Sequence, residues 1–530
     1  MNSTDGQSLA AMVFLVFVAG SLLLCGLAAA DLDEPEHFYA GGGAAFGPAG
    51  SGLAIAGDYV SAATLLSTTG AVALDGADGL LFATATVVSL WLVLRILGER
   101  LRGEGVFTVG DFVAARLGDP SARTPLGVAA LVVLTPLLLV QLSTAGHIVV
   151  AMFGLPEAAI TGCTIGSGVL MISYAAFGGM RGIGYIQILK IVVVLVAVLL
   201  LAGLVLARHG WSPPALFEAA RDQSGAGTDY AVPGLHFGPS LVGRLDLLGF
   251  AVTLLLGAAC LPHLTMRLHP LRDARTARRA VGWAVVPVTL VCLGVAVAGL
   301  GACALLGRDA IRAADPTGST ALLMVTGALD PSAAGTRHSM LFAIVACAVF
   351  ATTLAAVAGI TLAAAAGLVR DFANRPHRGR RSGGEVRRAR AGVVLFGAAA
   401  VLLAVLLRDR GTLTLISLSL TTGASVLAPV LLYAMFLPRF TAAGVRWTVF
   451  ATLPLIVTIM LLSPAVSGTP TALFPDRDFH LFPLQTPGLL TIPVGFLLGL
   501  LGRARTPRTR PAWGRRPTGA GAGRVGSGSA

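Results

Sequence analysis

Thirteen stretches of the 530-residue sequence are about 20 residues long and nearly free of charge. They lie near 9–30, 50–73, 78–98, 125–152, 158–178, 184–207, 243–266, 280–306, 339–369, 391–407, 412–437, 441–463 and 486–502. A bilayer core demands about 20 apolar residues per helical crossing, because it holds no water to satisfy exposed backbone groups. The expected fold class is therefore an all-α polytopic membrane protein with about 13 transmembrane helices. Composition agrees: only 12% of residues are charged, against roughly 25% in soluble domains, and mean hydropathy is +0.81. The first stretch has no basic residue before it and is flanked by Asp5 and Asp31, so it reads as a span and not as a cleaved signal peptide. No large soluble domain fits between any two spans.

Charge sets the expected direction. The net charge is +12, and Lys190 is the single lysine among 38 basic residues. Most arginines sit in short connections between spans, which points to membrane topology and away from nucleic acid. With the N-terminus outside, the inner connections and tail carry 28 arginines and the outer ones 9. This expects a multi-pass protein of the plasma (cytoplasmic) membrane with its C-terminus in the cytoplasm. Connection 31–38 is acidic where the pattern asks for arginine, but acidic residues contribute little to orientation. Residues 503–530, rich in Arg, Pro and Gly, read as a disordered basic tail touching anionic lipid. The six cysteines all fall in apolar runs without metal-ligand spacing, which excludes a disulfide scaffold and a zinc site. No cofactor is expected.

Three spans depart from uniform Leu, Val and Ala. The second, 50–70, buries Asp58 beside Gly57, with Ser61 and Thr64 following. An acid at the bilayer centre costs roughly 2.5–3.5 kcal/mol on insertion scales, so Asp58 reads as part of an ion or proton pathway. The structural alternative is capping of a half-helix. The seventh, 247–268, contains Gly257, Pro262 and His263. Proline removes an N–H and clashes with the preceding turn, so a discontinuous helix is expected, with an ordinary proline kink as the alternative. His263 reads as a satisfied structural histidine near the inner end. The ninth, 349–374, places Thr352, Thr353 and Thr361 among Ala and Gly; back-bonding to helix carbonyls is their structural reading. Gln141, His147 and Tyr174 are further buried polar candidates. The apolar run 321–329 is expected to form a short extracellular helix capping a cavity.

Breaks in the second and seventh windows are five spans apart, so an inverted repeat would bring both to the midplane. Spans 2–6 and 7–11 then form two copies, near 50–208 and 243–437, within a core of 50–440. Residues 1–49 add one helix and a connection, and 441–502 add two C-terminal helices.

The chain resembles the sodium:solute symporters of the leucine-transporter fold, and within them the bacterial cation/acetate symporters. The residues that carry this are FYAGGG (38–43), GLAIAGDYVSAAT (52–64), FGGMRG with IQILK (177–190), CLPHLTMRL with DARTARRAV (260–281) and FATTLAAVAGITLA ending in RDFAN (350–374). The resemblance implies a leucine-transporter-like fold with a 5+5 inverted repeat and symport of a short monocarboxylate. It implies a cation site at Ala56, Asp58 and Ser61 on the first core helix and on the eighth. Where sodium-coupled members carry two adjacent hydroxyl residues on the eighth, this chain has Ala355 and Ala356, leaving Thr352 or Thr353 to supply an oxygen, or Asp58 to carry a proton. The coupling ion is thus Na+ or H+. The carboxylate is expected at the breaks near Gly257 and Pro262, with Gln141 and Thr361 as donors.

The expected partners are the small-molecule monocarboxylate, the cation and the lipid bilayer. No nucleic acid is expected, and an accessory subunit stays open. Competing readings are a cation-coupled symporter of proline, another amino acid or a sugar, and a transporter-like sensor or channel. An enzyme is not expected, since the sequence has no HExxH, GxSxG or Walker motif.

Overall fold

The computed structural model describes residues 3–28, 34–41, 46–101, 106–271, 273–330, 340–372, 383–408, 411–469 and 472–502. The tail 503–530 and residues 373–382 of the 370–390 arginine connection lie outside the described residues. Among the described residues there is no strand beyond an isolated bridge between Ser467 and Phe474.

Every expected window is helical. Helix α1 spans Ser3–Ala28. The second window is two helices, α2 (Pro48–Tyr59) and α3 (Ala62–Asp75), separated by extended backbone at Val60 and Ser61. Then come α4 (Ala77–Val88), α5 (Val109–Leu117), α6 (Arg123–Phe153) and α7 (Ile160–Arg208). Helix α7 joins the fifth and sixth windows, turning at Gly179, where φ is 52° and ψ −164°. A side chain is strained at that φ, so glycine permits the reversal. The seventh window breaks after α8 (Leu241–Gly257) and resumes as the short α9 (Pro262–Met266). Further along come α10 (Ala274–Leu306), α11 (Ala321–Leu329), α12 (Met340–Arg370), α13 (Gly383–Leu406), α14 (Thr412–Thr422), α15 (Ala428–Phe436), α16 (Ala442–Leu461) and α17 (Gly488–Leu501), with shorter helices in the connections. Helices α14 and α15 are joined by a π-helical turn, Gly423–Leu427.

Among the described residues ten helical stretches are long and apolar enough to cross a membrane, and the one over Glu157–Arg208 contains the Gly179 reversal. The broken α2–α3 pair and the shorter α17 fall outside those ten. The core packs around α12, which lies against both α6 and α7 and is almost wholly buried. Its Ala- and Gly-rich sequence allows this, because small side chains let backbones approach where no hydrophobic force drives helices together in lipid. By contrast α13, on the periphery, exposes Leu395, Leu402 and Leu406 as a lipid-facing helix should. All six cysteines are free.

Candidate functional site

The two broken helices meet at a buried polar junction. Helix α2 ends because Ser61 adopts an extended conformation and caps α3: its Oγ accepts the Thr64 N–H, and the Thr64 hydroxyl oxygen accepts the Ser61 N–H. On the other side Leu261 is extended, and Pro262 takes the first position of α9, where its missing N–H costs nothing. Asp58, on the last turn of α2, is therefore held one residue short of the first break, and Arg267 one residue beyond α9. Their side chains form an ion pair, Arg267 Nε donating to Asp58 Oδ2, with both residues buried.

Gln187 of α7 completes the contact. Its Nε2 donates to Asp58 Oδ1 and, at 3.0 Å, to the Ala355 carbonyl of α12. One amide thus ties α2, α7 and α12 together through a carboxylate and a carbonyl. Two glycines allow this proximity. A Cβ on Gly57 would fall 2.5 Å from the Gln187 carbonyl oxygen, and one on Gly359 would fall 3.1 Å from Asp58 Oδ1.

The remaining sequence-designated residues are distributed around this junction. Ala56 is fully buried on α2, and its carbonyl accepts the last helical bond from Val60 N–H at 3.0 Å. Thr352, Thr353 and Thr361 are fully buried, and each hydroxyl donates to a carbonyl of its own helix at 2.6–2.7 Å. Gln141 is buried on α6, and among the described residues its Oε1 has no partner. Gly257 ends α8 and lies against α14, where a Cβ would come within 2.3 Å of the Leu420 carbonyl oxygen. The free helix N-terminus past this break accordingly belongs to Pro262. His263 departs from the expected satisfied histidine: it is buried, and its Nδ1 has no partner among the described residues. Tyr174 is structural, its hydroxyl 2.7 Å from that of Ser21 on α1.

A cavity of about 930 Å³ opens above the first break. It is lined by Ala62, Ala63 and Ser67 of α3, by Thr144 and His147 of α6, and by Leu323 of α11 together with the loop before it. The expected short helix over 321–329 thus forms and borders a cavity.

At the opposite end, which the charge pattern places inside, a network joins α5, α6, α12 and α13. Arg370 donates to Asp111 Oδ2 and Glu385 Oε1, both at 2.6 Å, and Arg123 lies 3.2 Å from Asp111 Oδ1. The Thr108 hydroxyl donates to Asp371 Oδ1 at 2.6 Å. Burial, with the neighbouring Asp111 carboxylate, pushes Asp371 well above the usual carboxylate range. The molecule is therefore hollow toward one end of the junction and cross-linked at the other.

Sequence reasoning passed over three members of the junction. Gln187 and Lys190 stand in the otherwise apolar YIQILKIVVV, and an intramembrane amide and amine were the available signal. Arg267 was counted as a topological charge. The polar run of α14 was passed over too: Thr421 and Thr422 are fully buried, with no hydroxyl partner among the described residues.

A broken-helix pair packed around a buried helix, with a cavity beside the first break, defines a secondary transporter of the leucine-transporter-like class. The chain belongs to the sodium:solute symporter family, which matches residues 38–451. It is 32% identical over 504 residues to a protein of Corynebacterium glutamicum named "Monocarboxylic acid transporter", covering 92% of this chain and 90% of that one. It is also 32% identical over 493 residues to the "Uncharacterized symporter YwcA" of Bacillus subtilis, covering 93% of each. Among solved structures it is similar to the substrate-bound outward-open state of a Na+-coupled sialic acid symporter, with a TM-score of 0.69 at 12% identity over 93% of this chain and 96% of that one. At that identity the likeness speaks to the fold.

Proposed function

We propose that the chain couples entry of a cation, Na+ or H+, to uptake of a short-chain monocarboxylate such as acetate, propionate or pyruvate, by alternating access. The observation that carries this is the Asp58–Arg267 pair, which joins the inner halves of the two broken helices below the cavity. The likeness to a relative named for monocarboxylic acids supports the substrate class.

In this reading the cation enters from the cavity past Ser61 and reaches the Ala56 carbonyl and Asp58, with Thr352 and Thr353 offering the lone pairs their own donated bonds leave free. Arg267 is displaced from Asp58 as the cation binds, and the inner half-helices α2 and α9 are then free to part. The carboxylate lies at the breaks beside Gly257 and Pro262, with Gln141 and Thr361 facing it. The network around Asp111 opens last, releasing both solutes inward. The transporter core spans 50–440, in the plasma membrane with the N-terminus outside.

The test is competition. Vesicles containing the protein should accumulate labelled acetate, and excess propionate or pyruvate should abolish the uptake while proline or glucose leaves it unchanged. Inhibition by proline or glucose with no effect of the acids would replace this reading with that of an amino-acid or sugar symporter.

A further inference from the structure

Lys190 is fully buried on α7, and among the described residues no group accepts a hydrogen bond from its amine. It stands eleven residues beyond the Gly179 reversal, about 16 Å along a helix. It is also one turn beyond Gln187, on the same face of the helix. Helices α2 and the second half of α7 run in the same direction, with Gly57 packed against Gln187. The next turn of α7 is therefore level with the break at Val60 and Ser61.

Asp58 is not the missing partner. Its Oδ1 accepts from Gln187 and its Oδ2 from Arg267. The other buried acids lie toward the ends of the helices with partners of their own. Asp75 pairs with His236, Asp78 accepts two backbone N–H groups, Asp246 is bound by Gln485 and Thr486, and Asp111 and Asp371 belong to the Arg370 network. The junction thus holds two basic side chains against one carboxylate. Among the described residues it also holds two buried donors without acceptors, Lys190 Nζ and Arg267 Nη2. An unpaired polar group in hydrocarbon is costly and is seldom retained without a function.

We propose that Lys190 anchors the transported carboxylate, its ammonium and Arg267 Nη2 donating to the two carboxylate oxygens. This rests on the monocarboxylate reading and refines it by naming the residue that recognises the charge. A single negative charge balances the junction, which favours monocarboxylates over dicarboxylates and over neutral amides of the same size.

The experiment uses the full chain, purified and reconstituted, as wild type, Lys190→Met and Lys190→Arg, with uptake of labelled pyruvate and thermal melting with and without pyruvate. Lys190→Met removes an unpartnered amine, so its melting temperature without ligand should equal or exceed that of wild type. Its KM should rise about a hundredfold or more, as expected for loss of a buried charge contact, and pyruvate should no longer raise its melting temperature. Lys190→Arg should keep a pyruvate-dependent shift. Wild-type KM and melting shift in Lys190→Met would overturn the assignment while leaving the monocarboxylate reading intact. Wild-type protein that neither transports nor is stabilised by any short monocarboxylate would overturn both. Should Lys190→Met fail to fold, Lys190→Gln, which keeps a polar chain without the charge, carries the same test.

Discussion

Asp58 and Arg267, 209 residues apart in sequence, link one half of each broken helix, α2 to the end of α9. Burial makes each partner costly alone, since the desolvation of one charge is offset only by the other. Arg267→Gln is expected to destabilise the protein by about 3–5 kcal/mol, and adding Asp58→Asn to recover at least half of that loss. Unfolding of the single and double variants in detergent measures this. Equal additive losses would show that the pair is not coupled.

Gln187 bridges the Asp58 carboxylate and the Ala355 carbonyl. Replacing it with Leu leaves both oxygens without their donor, a loss of roughly 1.5–3 kcal/mol for a hydrogen bond to a charged group. If the same oxygens receive the coupling cation, Gln187→Leu also changes the cation concentration needed for half-maximal uptake. Cation titration of uptake reads that change, and an unaltered titration with lower stability assigns Gln187 a purely structural role.

Gly257 lets α8 approach α14 at the second break, where an added Cβ would sit 2.3 Å from the Leu420 carbonyl oxygen. Backbone must shift to accept it, so Gly257→Ala is expected to cost about 1–3 kcal/mol and to slow uptake. Gly282→Ala, where a Cβ meets nothing within 4 Å, is the control and should behave as wild type.

His236 supplies the expected pH dependence. Burial opposes its charge, but the Asp75 hydrogen bond at 2.5 Å and the Asp75, Asp78 and Asp246 carboxylates outweigh it, raising the imidazole above its ordinary 6.5. A pKa raised in the folded state stabilises fully below the unfolded value and is lost as pH rises through the folded one. Stability should therefore decline as pH climbs above about 6.5, and His236→Gln should flatten that part of the profile. Melting temperature across pH 6 to 9 checks the sign.

The apolar windows and the Pro262 break were legible because they depend on local physics: hydrocarbon thickness, and the N–H that proline lacks. The back-bonding of Thr352, Thr353 and Thr361 was legible for the same reason. The partner of Asp58 was not, because pairing across 209 residues is a property of packing, and an arginine near the end of a span reads equally well as a topological charge. Gln187 and Lys190 were obscured by the strong hydropathy of their span. That His263 Nδ1 lacks a partner among the described residues depends on which helix faces it, something no single segment records.

The most direct measurement is uptake of labelled acetate and pyruvate into vesicles under a sodium gradient and a proton gradient imposed separately, for the wild type and Asp58→Asn. The account predicts that one gradient accelerates wild-type uptake and that this acceleration is lost in Asp58→Asn. Uptake of neither acid under either gradient, or acceleration that survives unchanged in Asp58→Asn, would contradict it.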